Sequence, residues 1–287
     1  MEIIDSIARM RESSDELIRS VKSIALVPTM GFLHDGHLQL MRTGKKQADV
    51  LVISIFVNPT QFGPAEDFAE YPRDMEGDLS KAREVGVDLV FVPSVEEMYP
   101  DGFQTHVMVE KMTKHLCGLS RPGHFDGVTT VVSKLFHIIK PHKAIFGQKD
   151  FQQLSVIKRM VKDLNMDIEV IGVPIVRESD GLAMSSRNHY LSPEQRKSAL
   201  SLKKSLDLAL HMYGQGEKDS GKIKTAIEKL ILSFPFTEID YVTICDPITL
   251  EDVDTLEKQS LVALAVRVGK TRLIDNTVIG TERNKGI

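Results

Sequence analysis

Residues 50–58 read VLVISIFVN, a nearly continuous apolar and β-branched run. It is far too short to span a membrane and too uninterrupted for a strand with one wet face. A strand covered on both sides suits it, and such strands belong to parallel sheets flanked by helices. A second run, SIALVPT at 23–29, precedes it and closes on Pro28 and Thr29, and residues 38–47 between the two have helical character. Strand, helix and strand make a βαβ unit, which commits the first part of the chain to a parallel sheet.

The alternation continues with a helix over about 74–85, strands at 89–93 and 143–146, a helix over 151–164 and a strand at 168–174. The first twenty residues mix acids and bases at helical spacing and are expected to form one helix. The pattern predicts an α/β fold, a doubly wound Rossmann-like parallel sheet over 1–175, with ligands at the carboxyl ends of its strands. Beyond Arg187 the texture changes: Ser192-Pro193-Glu194 starts a helix over 193–213, another covers 220–232, and strands fall at 240–245 and 261–268. Residues 176–287 therefore read as a smaller α+β C-terminal domain, with a tail after Gly280.

Composition narrows the function. A formal charge of -4 gives no global reason to bind nucleic acid. Cys117 and Cys245 stand far apart in no metal-ligand spacing, which predicts two reduced core thiols rather than a zinc site or a disulfide framework. The start lacks a secretory signal pattern and no apolar stretch is long enough for a membrane span, so a cytoplasmic protein with no membrane partner is expected.

The chemistry concentrates at the strand ends. Pro28-Thr29-Met30-Gly31-Phe32-Leu33-His34-Asp35-Gly36-His37 leads from a strand into a helix start, where two histidines three apart flank a glycine and the helix adds its partial positive charge. This arrangement suits phosphate, although an isolated pair of loop histidines would look the same. Phe146-Gly147-Gln148-Lys149-Asp150 follows another strand, and Met184-Ser185-Ser186-Arg187-Asn188 lies at the domain junction, both offering cations and hydroxyl or backbone donors. Gln61, in Phe56-Val57-Asn58-Pro59-Thr60-Gln61-Phe62-Gly63, can donate and accept toward a small polar substrate, and Gln153 lies one helical turn past Lys149.

His34-Asp35-Gly36-His37 resembles the signature of the nucleotidyl-transferring α/β superfamily that includes the class I aminoacyl-tRNA synthetases. Taken in order from Pro28 to Asn188, the five motifs together resemble the pantothenate synthetases, the pantoate-beta-alanine ligases. That resemblance implies ATP-dependent condensation of (R)-pantoate with beta-alanine through a pantoyl-adenylate, releasing pyrophosphate and AMP. It implies that Met30, Gly31, Phe32, Leu33, His34, Asp35, Gly36 and His37 hold ATP, with His37 the proton donor and His34 its partner. Gly147, Gln148, Lys149, Asp150, Val176, Met184, Ser185, Ser186 and Arg187 would surround the nucleotide, with Lys149, Ser185, Ser186 and Arg187 on phosphate. Gln61 and Gln153 would bind pantoate, Gln61 would border the beta-alanine site, and Tyr71-Pro72-Arg73 resembles the loop over the substrate cleft. The resemblance also implies Mg2+ with ATP and a homodimer. Where some members carry paired acids near the metal this chain reads Asp74-Met75-Glu76-Gly77-Asp78, so only Asp78 keeps a place there and no protein metal ligand is assigned.

Three rival readings are set against this one. A coenzyme nucleotidyltransferase would keep the nucleotide in its product, a class I aminoacyl-tRNA synthetase needs an anticodon-binding extension, and a nucleotide-sensing module would bind without turnover.

Overall fold

Alternating βα elements in the first half and a helix-then-strand order in the second are what the computed structural model contains, and it describes residues 1–64, 66–256 and 259–280. In chain order the elements are β1 (Glu2–Ile4), α1 (Ile7–Arg19), β2 (Ile24–Thr29), α2 (Asp35–Gln47), β3 (Val50–Ile55), α3 (Met75–Val85), β4 (Leu89–Phe91), α4 (Val95–Met98) and α5 (Cys117–Ser120). They continue with α6 (His124–Ile139), β5 (Lys143–Gly147), α7 (Phe151–Asp163), β6 (Glu169–Val173), α8 (Pro193–Gly214), α9 (Ser220–Leu232), β7 (Thr237–Cys245), β8 (Ser260–Val268) and β9 (Thr271–Ile279).

Two compact units result. The first comprises Met1–Glu110, Arg121–Gln148 and Gln153–Pro174; the second takes Lys111–Ser120, Lys149–Gln152 and everything from Ile175. The first unit's last segment ends at Pro174, and two short inserts from the first half belong to the second unit, which sequence order conceals.

In the first unit six strands pair in parallel in the order β1-β4-β3-β2-β5-β6. The chain winds outward from β2 through β3 to β4, then returns to β5 on the other side, so the order reverses between β2 and β5. Ligands of such sheets sit beyond the carboxyl ends at that reversal, where Thr29 and Gly147 end their strands. The apolar run is explained by burial on both faces: Ile24, Leu26, Val50 and Val52 pack into one core while Ala25, Val27, Leu51 and Ile53 pack into another. The expected first helix begins only at Ile7, because Glu2–Ile4 pairs with β4 as an edge strand.

The second unit is an antiparallel three-stranded sheet, β7-β8-β9, with α8 and α9 contributing Leu202, Leu206, Ile223, Ile227 and Ile231 to its core. Ser192 caps α8 as expected, with Gln195 closing a reciprocal capping box and Pro193 in the first turn. Both cysteines are buried and unbridged. Burial, followed by the charges of Asp252 and Asp246, pushes the Cys245 thiol up to about 12, which keeps it protonated and inert. None of the helices described is long and apolar enough to cross a membrane. The tail expected after Gly280 lies outside the described residues.

Candidate active site

β2 stops where Thr29 Oγ1 donates to the carbonyl of Ser54 (2.7 Å) and accepts from the amide of Gly31 (3.2 Å). The chain then passes through two consecutive residues with positive φ, Gly31 at 81° and Phe32 at 49°. Phe32 adopts a conformation that costs a non-glycine residue energy, so something must hold it there. Asp78 on α3 does so: its carboxylate accepts from the amides of Phe32 (2.8 Å) and Leu33 (2.6 Å), and Lys81 donates to the Leu33 carbonyl (2.7 Å). Asp78 is 1% exposed. Burial pushes its carboxyl above the ordinary value, and the two amides pull it back only in part.

Asp78 is thus the internal anion of this turn, both oxygens committed to backbone amides. Asparagine there keeps one acceptor and turns its NH2 group against the other amide, so D78N is expected to lose about 2 kcal/mol of stability. Urea denaturation of the variant checks this; an unchanged midpoint would show that the turn holds without the carboxylate.

The turn delivers His34 to the N-cap of α2. His34 Nδ1 accepts from the Gly36 amide (3.1 Å), and His37 Nδ1 accepts from the His34 amide (3.3 Å). The imidazole rings lie 4.1 Å apart at 36°. With both Nδ1 atoms accepting, each neutral ring carries its proton on Nε2. Two half-buried histidines at a helix N-terminus therefore offer N–H donors and a proton where the helix dipole already favours an anion. Met30 opens the turn, and Asp35 lies in the first turn of α2.

Gln61 sits on a 3-10 turn, Pro59–Gln61, capped by Asn58. Asn58 is 1% exposed and fully engaged. Its Nδ2 donates to Gln61 Oε1 (3.1 Å) and to the Gly127 carbonyl (3.2 Å), while Oδ1 accepts from Tyr99 OH (2.8 Å) and Thr60 Oγ1 (2.9 Å). Gln61 Nε2 points to Met30 Sδ at 3.2 Å, which brings the pantoate-assigned amide beside the residue that opens the histidine turn.

The backbone of Gln61 is held from α6. His124 Nδ1 donates to the Gln61 carbonyl (2.8 Å), and His124 Nε2 accepts from Arg121 Nη1 (3.0 Å). Arg121 also forks onto Glu66, with Nε and Nη2 each 2.6 Å from a carboxylate oxygen. Burial raises the Glu66 carboxyl, but the Arg121 hydrogen bond and charge outweigh it and hold it below its ordinary value. Arg121, His124, Glu66 and Tyr99 were not among the residues singled out from the sequence. A basic Arg-Pro-Gly-His turn was the available signal. Farther along, Tyr71 packs edge-on to Phe62 (5.9 Å), and Arg73 donates to the carbonyls of Tyr71 (3.0 Å) and Phe68 (3.2 Å), so this loop folds on itself.

Gly147 ends β5 and Gln148 follows it in the first unit, and Gln153 is half-buried in the first turn of α7. In the second unit, Lys149 has Asp150 at 3.9 Å and a side chain 20% exposed. Val176 and Met184 face each other across a short hairpin through the Met184 amide and Val176 carbonyl (3.0 Å). Ser185 caps the 3-10 turn Ser186–Tyr190, accepting from the Arg187 amide (3.2 Å). Asn188 donates to Glu178 (2.6 Å) and to the Ala183 carbonyl (3.0 Å), fixing the hairpin beneath the serines. Among the described residues no group of three or more His, Cys, Asp or Glu side chains is arranged to hold a metal ion.

Comparison with known proteins gives these features a context. A sequence model of the pantoate-beta-alanine ligase family matches residues 2–278. The chain is 58% identical to the pantothenate synthetase of Syntrophus aciditrophicus over 99% of both chains. It is similar to the crystal structure of the Thermus thermophilus pantothenate synthetase, with a TM-score of 0.92, 45% identity and coverage of 96% of this chain and 99% of that one. A pantoate-beta-alanine ligase from Francisella tularensis, complexed with beta-gamma ATP and beta-alanine, superimposes with a TM-score of 0.80 at 33% identity, covering 98% and 99% of the two chains. With a full-length match and a shared fold in agreement, the chain belongs to the pantoate-beta-alanine ligase family.

Proposed function

We propose that this chain makes pantothenate by the two-step route of its family, and that the histidine turn and the Gln61 turn are the parts of the first unit that carry it. The pantoate carboxylate attacks the α-phosphorus of ATP, giving pantoyl-adenylate and pyrophosphate. The beta-alanine amine then attacks the acyl carbon, the acyl–phosphate bond breaks, and AMP leaves. The observation that carries the reading is the pair His34 and His37, locked by reciprocal capping with both Nδ1 atoms accepting from backbone amides.

His37 donates a proton or hydrogen bond to the phosphate oxygen on which charge builds, and His34 shares that charge. Lys149, Ser185, Ser186 and Arg187 supply further phosphate donors, and Val176 and Met184 border the nucleotide. Gln61 and Gln153 hold pantoate through their amides, with Gln61 next to the beta-alanine position. The complex of the Francisella relative with a nucleotide and beta-alanine supports both ligand classes. Magnesium belongs to the nucleotide in this reading, held by phosphates and water, because Asp78 is engaged by two amides. Residues 58–73 cover the mixed anhydride against water. The working protein is a cytoplasmic homodimer.

The test is release of AMP and pyrophosphate from MgATP with pantoate, with and without beta-alanine, together with mass spectrometry of the product. Pyrophosphate release that needs pantoate, and AMP release with pantothenate that needs both acids, is the expected result. AMP retained in a stable product would point to a nucleotidyltransferase instead.

A further inference from the structure

β9 carries two adjacent polar residues, Asp275 and Asn276, which are only 3% and 7% exposed. Buried polar groups in a strand destabilise the fold unless they are bonded, so their partners reveal what the strand is for. Asp275 makes a forked pair with Arg177, Oδ2 to Nη1 at 2.7 Å and Oδ1 to Nη2 at 2.9 Å, and Arg177 Nη1 also donates to the Gly181 carbonyl (3.1 Å). Arg177 therefore braces the hairpin that pairs Val176 with Met184 and leads into Ser185, Ser186 and Arg187. Asn276 Nδ2 donates to the backbone carbonyl of Lys149 (2.9 Å), a contact across 127 positions of sequence. That bond fixes the 3-10 turn Gln148–Asp150 from which the Lys149 side chain projects.

We propose that Asp275 and Asn276 are positioning residues for adenylation: Asn276 sets the backbone of Lys149, and Asp275, through Arg177, sets the hairpin bearing Val176, Met184 and the Ser185-Ser186-Arg187 donors. This rests on the reading that Lys149 meets a phosphate. The physical basis is distance. A lysine neutralises developing charge in proportion to how closely its ammonium is held, and a misplacement of about 1 Å can cost on the order of 100-fold in rate. A flexible four-carbon side chain cannot supply that accuracy unless its backbone is anchored. Neither residue touches the reacting atoms in this account.

The experiment is a double-mutant cycle read by pantoate-dependent exchange of pyrophosphate into ATP, using the full-length protein as wild type, K149A, N276A and the double variant. N276A is expected to lower kcat/KM for ATP by about 30-fold, with KM for pantoate unchanged and a melting temperature close to wild type. If Asn276 acts through Lys149, adding N276A to K149A lowers the rate no further, whereas a purely structural role makes the two losses multiply. N276S, which keeps a short donor, is expected to recover part of the loss and serves as the second variant should N276A fold poorly. For the other arm, D275N is expected to raise KM for ATP and leave KM for pantoate alone. Wild-type exchange in K149A would overturn both the phosphate reading and this inference. A crippled K149A beside an unaffected N276A, or fully multiplicative losses, would overturn the inference alone.

Discussion

Alanine at position 37 is expected to lower pantoyl-adenylate formation by about 100- to 1,000-fold, since on the proposed function it removes a donor aimed at developing phosphate charge. The same change removes the acceptor for the His34 amide, one half of the α2 capping box, which by itself would cost on the order of 1 kcal/mol of stability. Asparagine separates the two effects. Its side-chain oxygen takes the place of Nδ1 and keeps the cap, but it has nothing in the place of Nε2. H37N should therefore melt like the wild type and exchange pyrophosphate as poorly as H37A. If H37N turns over normally, His37 is a capping residue only, and proton donation must be assigned elsewhere.

A large stability effect is expected from a single methyl group at Gly127. A Cβ there would sit 2.4 Å from the Thr60 carbonyl oxygen, 2.5 Å from its carbon and 2.7 Å from Gln61 Cα. All three are backbone atoms, so no side chain can swing aside to relieve the overlap. Alanine favours helix over glycine by about 1 kcal/mol, but three contacts far inside van der Waals range in a close-packed region outweigh that gain. A net loss of about 3 kcal/mol is expected, corresponding to a fall in melting temperature on the order of 10 °C. Because α6 also anchors Gln61 through His124 and receives the Asn58 bond at the Gly127 carbonyl, KM for pantoate should rise with it. Calorimetry and steady-state kinetics on G127A check both parts. A normal melting temperature would mean that α6 can retreat from the Pro59–Gln61 turn without cost.

What the sequence made legible was local. The β-branched run at 50–58 announced a strand buried on both faces, and the pair of histidines flanking Gly36 announced a turn into a helix N-terminus, because strand, turn and helix start are contiguous. Helix α6 was not legible for a physical reason. Thirteen of its 16 residues are buried, so it has no polar stripe from which a helical period can be read, and Val128, Thr129, Thr130, Val131 and Val132 look like strand. β1 was hidden by its three-residue length, and β9 by Asp275 and Asn276, whose polar character argues against a buried strand until Arg177 and Lys149 are known to meet them. The same rule divides the candidate site. Residues that would touch ligand lie in recognisable motifs, whereas those that hold them, Asp78, Arg121, His124 and Asn276, act across 45 to 127 positions, so the neighbouring sequence does not show what they bond.

The inserts Lys111–Ser120 and Lys149–Gln152 have a consequence for how the chain is made. Ser120 Oγ donates to Asp240 (2.8 Å), Cys117 Sγ meets Tyr241 OH (3.2 Å), and the Lys149 carbonyl awaits Asn276. Synthesis runs from the N-terminus, so the ribosome releases every recognisable motif well before these partners exist. A nascent chain halted ahead of β9 would carry the whole signature of the family and still leave Lys149 unanchored. On the proposed role of Lys149, competence for adenylation is conferred late, when β9 emerges.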